Sequence, residues 1–158
     1  MPLVLATDAS KYGGGGAVLS QIYPDGSEKI IQCASQSLNN TQQKYAPIDK
    51  EAYAIIFGVK KFHQYLFATE FTLITDNKAL TNIFSLNRNL PTFSVLRMQH
   101  YALFLRAYRY KIKFRKTDKH ANADGLSRLP LPLQNNIDYD VIDISHVETI
   151  KYFTCHGR

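Results

Sequence analysis

Residues 4–10 read VLATDAS, and residues 72–78 read TLITDNK. Each is an apolar run that closes on Thr-Asp, so Asp8 and Asp76 occupy the same point of two candidate buried strands. If the two strands are parallel neighbours, both carboxylates emerge at one edge of a sheet. Two carboxylates brought together repel, and burying them is costly. A hard divalent cation with oxygen ligands, such as Mg2+, removes that objection.

The chain continues from Asp8 into KYGGGGAVLS, residues 11–20. A phosphate-binding loop is the first idea to test. The P-loop requires G-x-x-x-x-G-K-[ST], and no Lys-Ser/Thr pair follows Gly13 to Gly16. A dinucleotide loop requires a helix after the glycines, whereas AVLSQIY reads as another strand. The glycines read as a tight turn between two strands. They either clear space for an approaching backbone or simply make a hairpin.

Working outward, Leu3–Thr7 and Gly16–Tyr23 form the first two expected strands, and PDGS at residues 24–27 is a turn signal. Lys29–Ser37 returns as a third strand, which makes an antiparallel meander. A helix is expected from about Thr41, with Ile48, Ala52, Ile55, Val59, Phe62 and Leu66 as one apolar stripe. FTLITD is a fourth strand and NKALTNIF a short helix. A further helix follows Pro91, capped by Thr92 or Ser94, with Val95, Met98, Ala102 and Leu105 on its stripe. YRYKIKFRK alternates, with Tyr108, Tyr110, Ile112 and Phe114 facing inward and Arg109, Lys111, Lys113 and Arg115 outward. A last short helix, NADGLSRL, stops before Pro130. The order βββαβααβα predicts a mixed sheet with helices packed on it. Residues 131–158 lack matching periodicity and read as a linker and weakly structured extension.

Two more carboxylates join the pair. Glu51 borders the core-facing stripe of the long helix and points toward the sheet; Asp124 opens the last helix. Each of the four has an ordinary reading: a strand-end turn for the aspartates, a solvated stripe margin for Glu51, a helix-dipole partner for Asp124. Recurrence of Thr-Asp on two strands is what sets the functional reading beside them.

The formal charge is +6 and uneven: between Leu86 and His120 there are nine Lys/Arg against Asp118 alone, whereas acids dominate after Leu133. That favours a polyanionic partner. Two cysteines make neither a metal cluster nor a disulfide framework, which suits a reducing compartment. MPLVLA lacks a basic n-region, and the apolar stretch at residues 52–59 is too short to span a bilayer. An intracellular protein without a membrane partner is expected.

TDAS, KEAYAI, TDNKAL and HANADGLSRLP, in that order and spacing, resemble the ribonuclease H domain of gypsy-type LTR-retrotransposon reverse transcriptases, a part of the Pol polyprotein. The resemblance covers about residues 2–130, which implies a ribonuclease H-like domain over residues 1–130 and an extension over 131–158. It implies an α/β, ribonuclease H-like fold: a five-stranded mixed sheet, three antiparallel strands then two parallel, flanked by helices. The family's acidic tetrad falls on Asp8, Glu51, Asp76 and Asp124. The implied reaction is endonucleolytic hydrolysis of the RNA strand of an RNA/DNA hybrid with two Mg2+ ions, Mn2+ being a substitute. Asp8 is the expected shared ligand, Glu51 and Asp76 complete one ion's shell and Asp124 the other's, leaving a 5′-phosphate and a 3′-hydroxyl. His120, four residues before Asp124, takes the place of a mobile histidine that assists proton transfer or product release in cellular ribonucleases H.

Arg109, Lys111, Lys113 and Arg115 are either phosphate contacts or a solvated guard against edge pairing. His63 and His100 are expected to be ordinary helix residues, and Ser127 has no triad partners. Asn77 and Ala79 depart from the more common TDHKPL. A polymerase domain in the parent polyprotein is the implied partner, and the cytoplasm, a virus-like particle or the nucleus the implied location. Two rival readings remain: a non-catalytic or co-opted transposon-derived nucleic-acid-binding or scaffold module, and an integrase-like DNA transferase on the same fold.

Overall fold

In the computed structural model, the structure describes residues 1–11, 13–85 and 96–116. The expected final helix with Asp124, His120, the caps at Thr92 and Ser94, and the 131–158 extension lie outside the described residues.

Five strands form one sheet: β1 (Leu3–Ala9), β2 (Gly14–Ile22), β3 (Glu28–Ser37), β4 (Glu70–Thr75) and β5 (Arg109–Phe114). Their spatial order is β3-β2-β1-β4-β5. β1–β2 and β2–β3 pair antiparallel, whereas β1–β4 and β4–β5 pair parallel. This is the expected mixed sheet. β1 lies in its middle and is apolar on both faces. Leu5 packs with Ala17, Leu19 and Leu73 in the main core, and Val4 and Ala6 pack with Val18 and Ile74 on the opposite face.

The helices are α1 (Pro47–Lys61), α2 (His63–Leu66), α3 (Lys78–Ile83) and α4 (Leu96–Leu105), with a 3-10 turn at Gln42–Lys44. The long helix therefore starts later than Thr41. Pro47 holds the N1 position, and Ala46 before it is extended at φ −58°, ψ 152°, because the proline ring disfavours a helical residue ahead of it. The turn before it is closed by a reciprocal pair: Asn39 N–H donates to Gln42 Oε1 (3.0 Å), and Gln42 N–H to Asn39 Oδ1 (2.8 Å).

The apolar stripe also breaks where continuity was expected. α1 ends at Lys61 and α2 begins at His63, yet Phe62 and Leu66 remain fully buried. From Glu51 to Val59 every residue of α1 is buried, because the helix packs against α4 as well as against β1 and β2. On α4, Met98, Ala102 and Leu105 are buried as expected.

The glycine run divides. Gly13 alone makes the turn, at φ +94°, with Ser10 N–H donating to Gly14 O (2.8 Å) and Gly14 N–H to Ser10 Oγ (3.1 Å). Gly14, Gly15 and Gly16 belong to β2 and pair with Ser37, Gln36 and Ser35 of β3. The strand starts earlier than its composition suggests because pairing on both sides overrides the weak strand preference of glycine.

Candidate metal centre

Residues Leu3 to Ala6 of β1 pair in register with Phe71 to Ile74 of β4. Continuing that parallel register sets Asp8 level with Asp76, so the repeated Thr-Asp ends do emerge side by side. Thr75 Oγ1 accepts from Asn77 N–H (3.2 Å), and the Asn77 side chain then caps α3 by accepting from Ala79 N–H (3.0 Å). These bonds turn the chain away after Asp76 and leave its carboxylate at the strand end.

Glu51 comes down from the first turns of α1. One of its oxygens, Oε1, accepts from Ala9 N–H at 3.3 Å. The other, Oε2, is buried and has no hydrogen-bond partner. Asp8, Glu51 and Asp76 each offer a carboxylate oxygen, and these atoms all lie within 4.8 Å of one another. Asp8 is 4% and Glu51 9% exposed, so this is not a solvated acidic patch. Burial, then the negative charges of Asp76 and Asp8, push the Glu51 carboxyl up to about 9. Two buried carboxylates and the half-buried Asp76, with one orphaned oxygen among them, form a hard, all-oxygen donor set that fits a divalent cation. The Ala9 N–H could not have been identified from side-chain motifs, because the group that holds Glu51 is backbone.

The basic residues of β5 do not behave as a unit. Arg109 and Lys111 lie toward the opposite end of the sheet from the acids. The Arg109 guanidinium donates to Ala68 O (2.6 Å) and Lys111 Nζ pairs with Glu70 (2.6 Å). Lys113 is exposed and forms no ion pair among the described residues. Arg115 donates its backbone N–H to Thr75 O (3.0 Å), beside Asp76, and its guanidinium stands 3.8 Å from Glu28. His63 Nδ1 meets the buried Tyr108 hydroxyl at 2.7 Å, within an aromatic cluster that includes Phe67. His100 is exposed on α4. Both histidines lie on helices, as expected.

A mixed sheet in the order β3-β2-β1-β4-β5, with carboxylates at the ends of β1 and β4 and on the crossing helix, defines a ribonuclease H-like domain. The family model described as the RNase H-like domain found in reverse transcriptase matches residues 1–108, and the chain belongs to that family. Its relatives are retrotransposon Pol polyproteins. It is 34% identical over 142 residues to the retrovirus-related Pol polyprotein from transposon opus of Drosophila melanogaster, covering 89% of this chain and 13% of the polyprotein. It is 29% identical over 159 residues to that from transposon 297 of the same fly, covering 95% and 14%. The chain thus spans about a seventh of these relatives or less.

Among solved structures, the foamy viral protease-reverse transcriptase in complex with double-stranded DNA aligns with a TM-score of 0.56 at 22% identity, covering 73% of this chain and 24% of that one. LC11-RNase H1 in complex with an RNA/DNA hybrid aligns with a TM-score of 0.58 at 16% identity, covering 78% and 92%. At these identities the likeness establishes the fold. Among the described residues no helix is long and apolar enough to cross a membrane.

Proposed function

We propose that this domain hydrolyses the RNA strand of RNA/DNA hybrids as the ribonuclease H part of a retrotransposon reverse transcriptase, using Mg2+ held by Asp8, Glu51 and Asp76. The observation that carries the reading is the convergence of these three carboxylates within 4.8 Å, with Glu51 Oε2 left unpartnered. Asp124, outside the described residues, is the proposed fourth ligand, and His120 the proposed proton-transfer or product-release residue.

Bound divalent ions supply charge compensation and a more acidic water for phosphodiester hydrolysis, as paired metals do in nucleases generally. The chain's own contribution is to hold the acids in place before substrate arrives. β1 and β4 fix the two aspartates at one level, and the Ala9 N–H orients Glu51. Lys113 and Arg115, at the same end of the sheet as the acids, are the proposed phosphate contacts. Hybrid choice then comes from groove shape and 2′-hydroxyls rather than base edges. The complex of LC11-RNase H1 with an RNA/DNA hybrid supports that substrate class by fold analogy.

The test is a labelled hybrid incubated with the purified chain. Cleavage of the RNA strand that requires Mg2+ and disappears in Asp8→Asn supports the nuclease. Hybrid binding without cutting, unaffected by Asp8→Asn, supports the non-catalytic module instead.

A further inference from the structure

Helix interiors disfavour glycine, because it loses the most backbone freedom there. Gly58 nevertheless sits inside α1, in its last turn, buried, with no positive φ to require it. Its reason is contact. A Cβ on Gly58 would lie 3.0 Å from Ala17 Cβ, 3.0 Å from Thr7 Cγ2 and 3.4 Å from Leu5 Cδ1. Carbon atoms at their optimum sit about 3.5–4.0 Å apart. Two of these neighbours are anchored in β1, and Ala17 Cβ rides directly on the backbone of β2, so the sheet cannot readily yield. One turn earlier, a Cβ on Gly15 of β2 would stand 3.8 Å from Ala54 Cβ. The helix and the sheet therefore meet through hydrogen and methyl groups along one line.

Glu51 lies on that same line. It precedes Gly58 by seven residues, two turns of helix, and so shares its face about 10 Å away along the axis. Thr7, against which Gly58 rests, is the residue immediately before Asp8. The closeness at Gly58 thus sets how far α1 stands above the strands that carry the aspartates. At the other end of this line, Glu51 Oε1 only just reaches Ala9 N–H, at 3.3 Å. A helix lifted by a few tenths of an ångström would stretch that bond and draw the carboxylate away from Asp8 and Asp76. Mg2+ holds oxygens at about 2.0–2.1 Å with little tolerance.

We infer that Gly58 is a positioning residue for the carboxylate centre: its missing side chain lets α1 lie low enough for Glu51 to share a cation with Asp8 and Asp76. This rests on the metal-binding reading proposed above.

Isothermal titration of the full chain with Mg2+ alone, without nucleic acid, reads the effect directly. Gly58→Ala is expected to bind Mg2+ about tenfold more weakly, the scale on which groups behind metal ligands act. Adding Ala17→Gly and Thr7→Ser to Gly58→Ala removes the two methyl groups in the way and is expected to bring affinity back to within about twofold of wild type. Ile56→Val, a buried change on another face of α1, is expected to lower the urea midpoint and leave Mg2+ affinity unchanged. Equal affinity in wild type and Gly58→Ala overturns the inference and spares the metal centre. So does a folded compensated variant that binds weakly, and this arm stands even if Gly58→Ala alone does not fold. A wild-type chain that takes up no Mg2+ overturns the metal centre itself, and the role of Gly58 with it.

Discussion

Where β1 and β4 end beneath α1, carboxylate oxygens of Asp8, Asp76 and Glu51 lie within 4.8 Å of one another, and burial together with the neighbouring negative charges pushes the Glu51 carboxyl up to about 9. Along the outer face of β5 and one residue beyond it, four cations stand in a row, and three meet a partner within the protein, Arg109 and Lys111 closely and Arg115 at 3.8 Å from Glu28. Lys111 has Glu70 and Arg109 has the Ala68 carbonyl, whereas Glu51 Oε2 has nothing. The basic row is visible in the sequence as a concentration of one charge, whereas the acids stand at positions 8, 51 and 76 and meet only in the fold. Their difference is burial: the basic side chains sit at the surface with partners or solvent, whereas the acids are held against one another with little water. Crowding acids at a largely buried point is expensive, and a cation that completes the site lowers that cost. A row of surface cations with local partners needs no such explanation.

Removing one charge from each region gives the largest contrast. Asp8→Asn or Asp76→Asn is expected to lower hybrid cleavage by about a thousandfold or more, since each removes a proposed metal ligand. Arg109→Ala, at the far end of β5, is expected to leave cleavage within about a factor of two. Single-turnover rates on one labelled hybrid measure both. Comparable losses would abolish the distinction between the two regions.

The acidic region also makes a prediction about stability that needs no substrate. Glu51 carries its proton up to about pH 9 in the folded chain, and gives it up near the ordinary carboxylate value when unfolded. Between those values the native state binds more protons than the unfolded state. Stability without divalent ions must therefore fall as pH rises through that window. Glu51→Gln removes the buried ionisable group. It is expected to be more stable than wild type by about 1–3 kcal/mol at pH 8.5 in EDTA, with the difference shrinking toward pH 5. Added Mg2+ is expected to raise the wild type and leave the variant where it was. Urea denaturation at the two pH values, with and without Mg2+, checks each arm.

What the sequence disclosed follows the same division. The sequence of elements and the antiparallel meander were readable because apolar runs, turn residues and one helical stripe are local signals; the paired Thr-Asp ends suggested that β1 and β4 are parallel neighbours, and the resemblance supplied the five-stranded mixed sheet. The boundaries were less readable. The start of α1 is set by Pro47 acting on Ala46, and its break at Phe62 does not interrupt the apolar spacing at all. Glycines 14 to 16 read as turn by composition but are strand by pairing. Asp8, Glu51 and Asp76 could be singled out because each is an acid where the pattern calls for an apolar or marginal position. Which cations on β5 are free could not be read: Glu70 stands opposite Arg109 in the β4–β5 register yet binds Lys111. That choice depends on side-chain reach, which no spacing rule contains.

The two ends of β5 differ as well. Lys113 pairs in register with Ile74, two residues before Asp76, and has no ion-pair partner among the described residues. Lys113→Ala is expected to weaken hybrid binding by about two- to fivefold and to reduce the salt dependence by roughly one phosphate contact. Arg109→Ala is expected to move neither. Titrations at several salt concentrations with the uncleaving Asp8→Asn chain separate binding from turnover.

The smallest effect tests whether the pairing of Lys111 is what silences it. Its partner Glu70 is 60% exposed at the side chain and Lys111 72%, so the bridge is screened by water and contributes little to folding. Glu70→Gln should accordingly leave the thermal midpoint unchanged while returning one cation to the outer face. If charge satisfaction decides which residues of β5 can meet a phosphate, hybrid affinity rises in this variant by about a factor of two at low salt, and the gain vanishes at high salt. If distance from the acidic end decides instead, releasing Lys111 changes nothing. The first outcome makes the β5 face a phosphate surface that the protein partly switches off by its own pairing. The second confines recognition to Lys113 and Arg115.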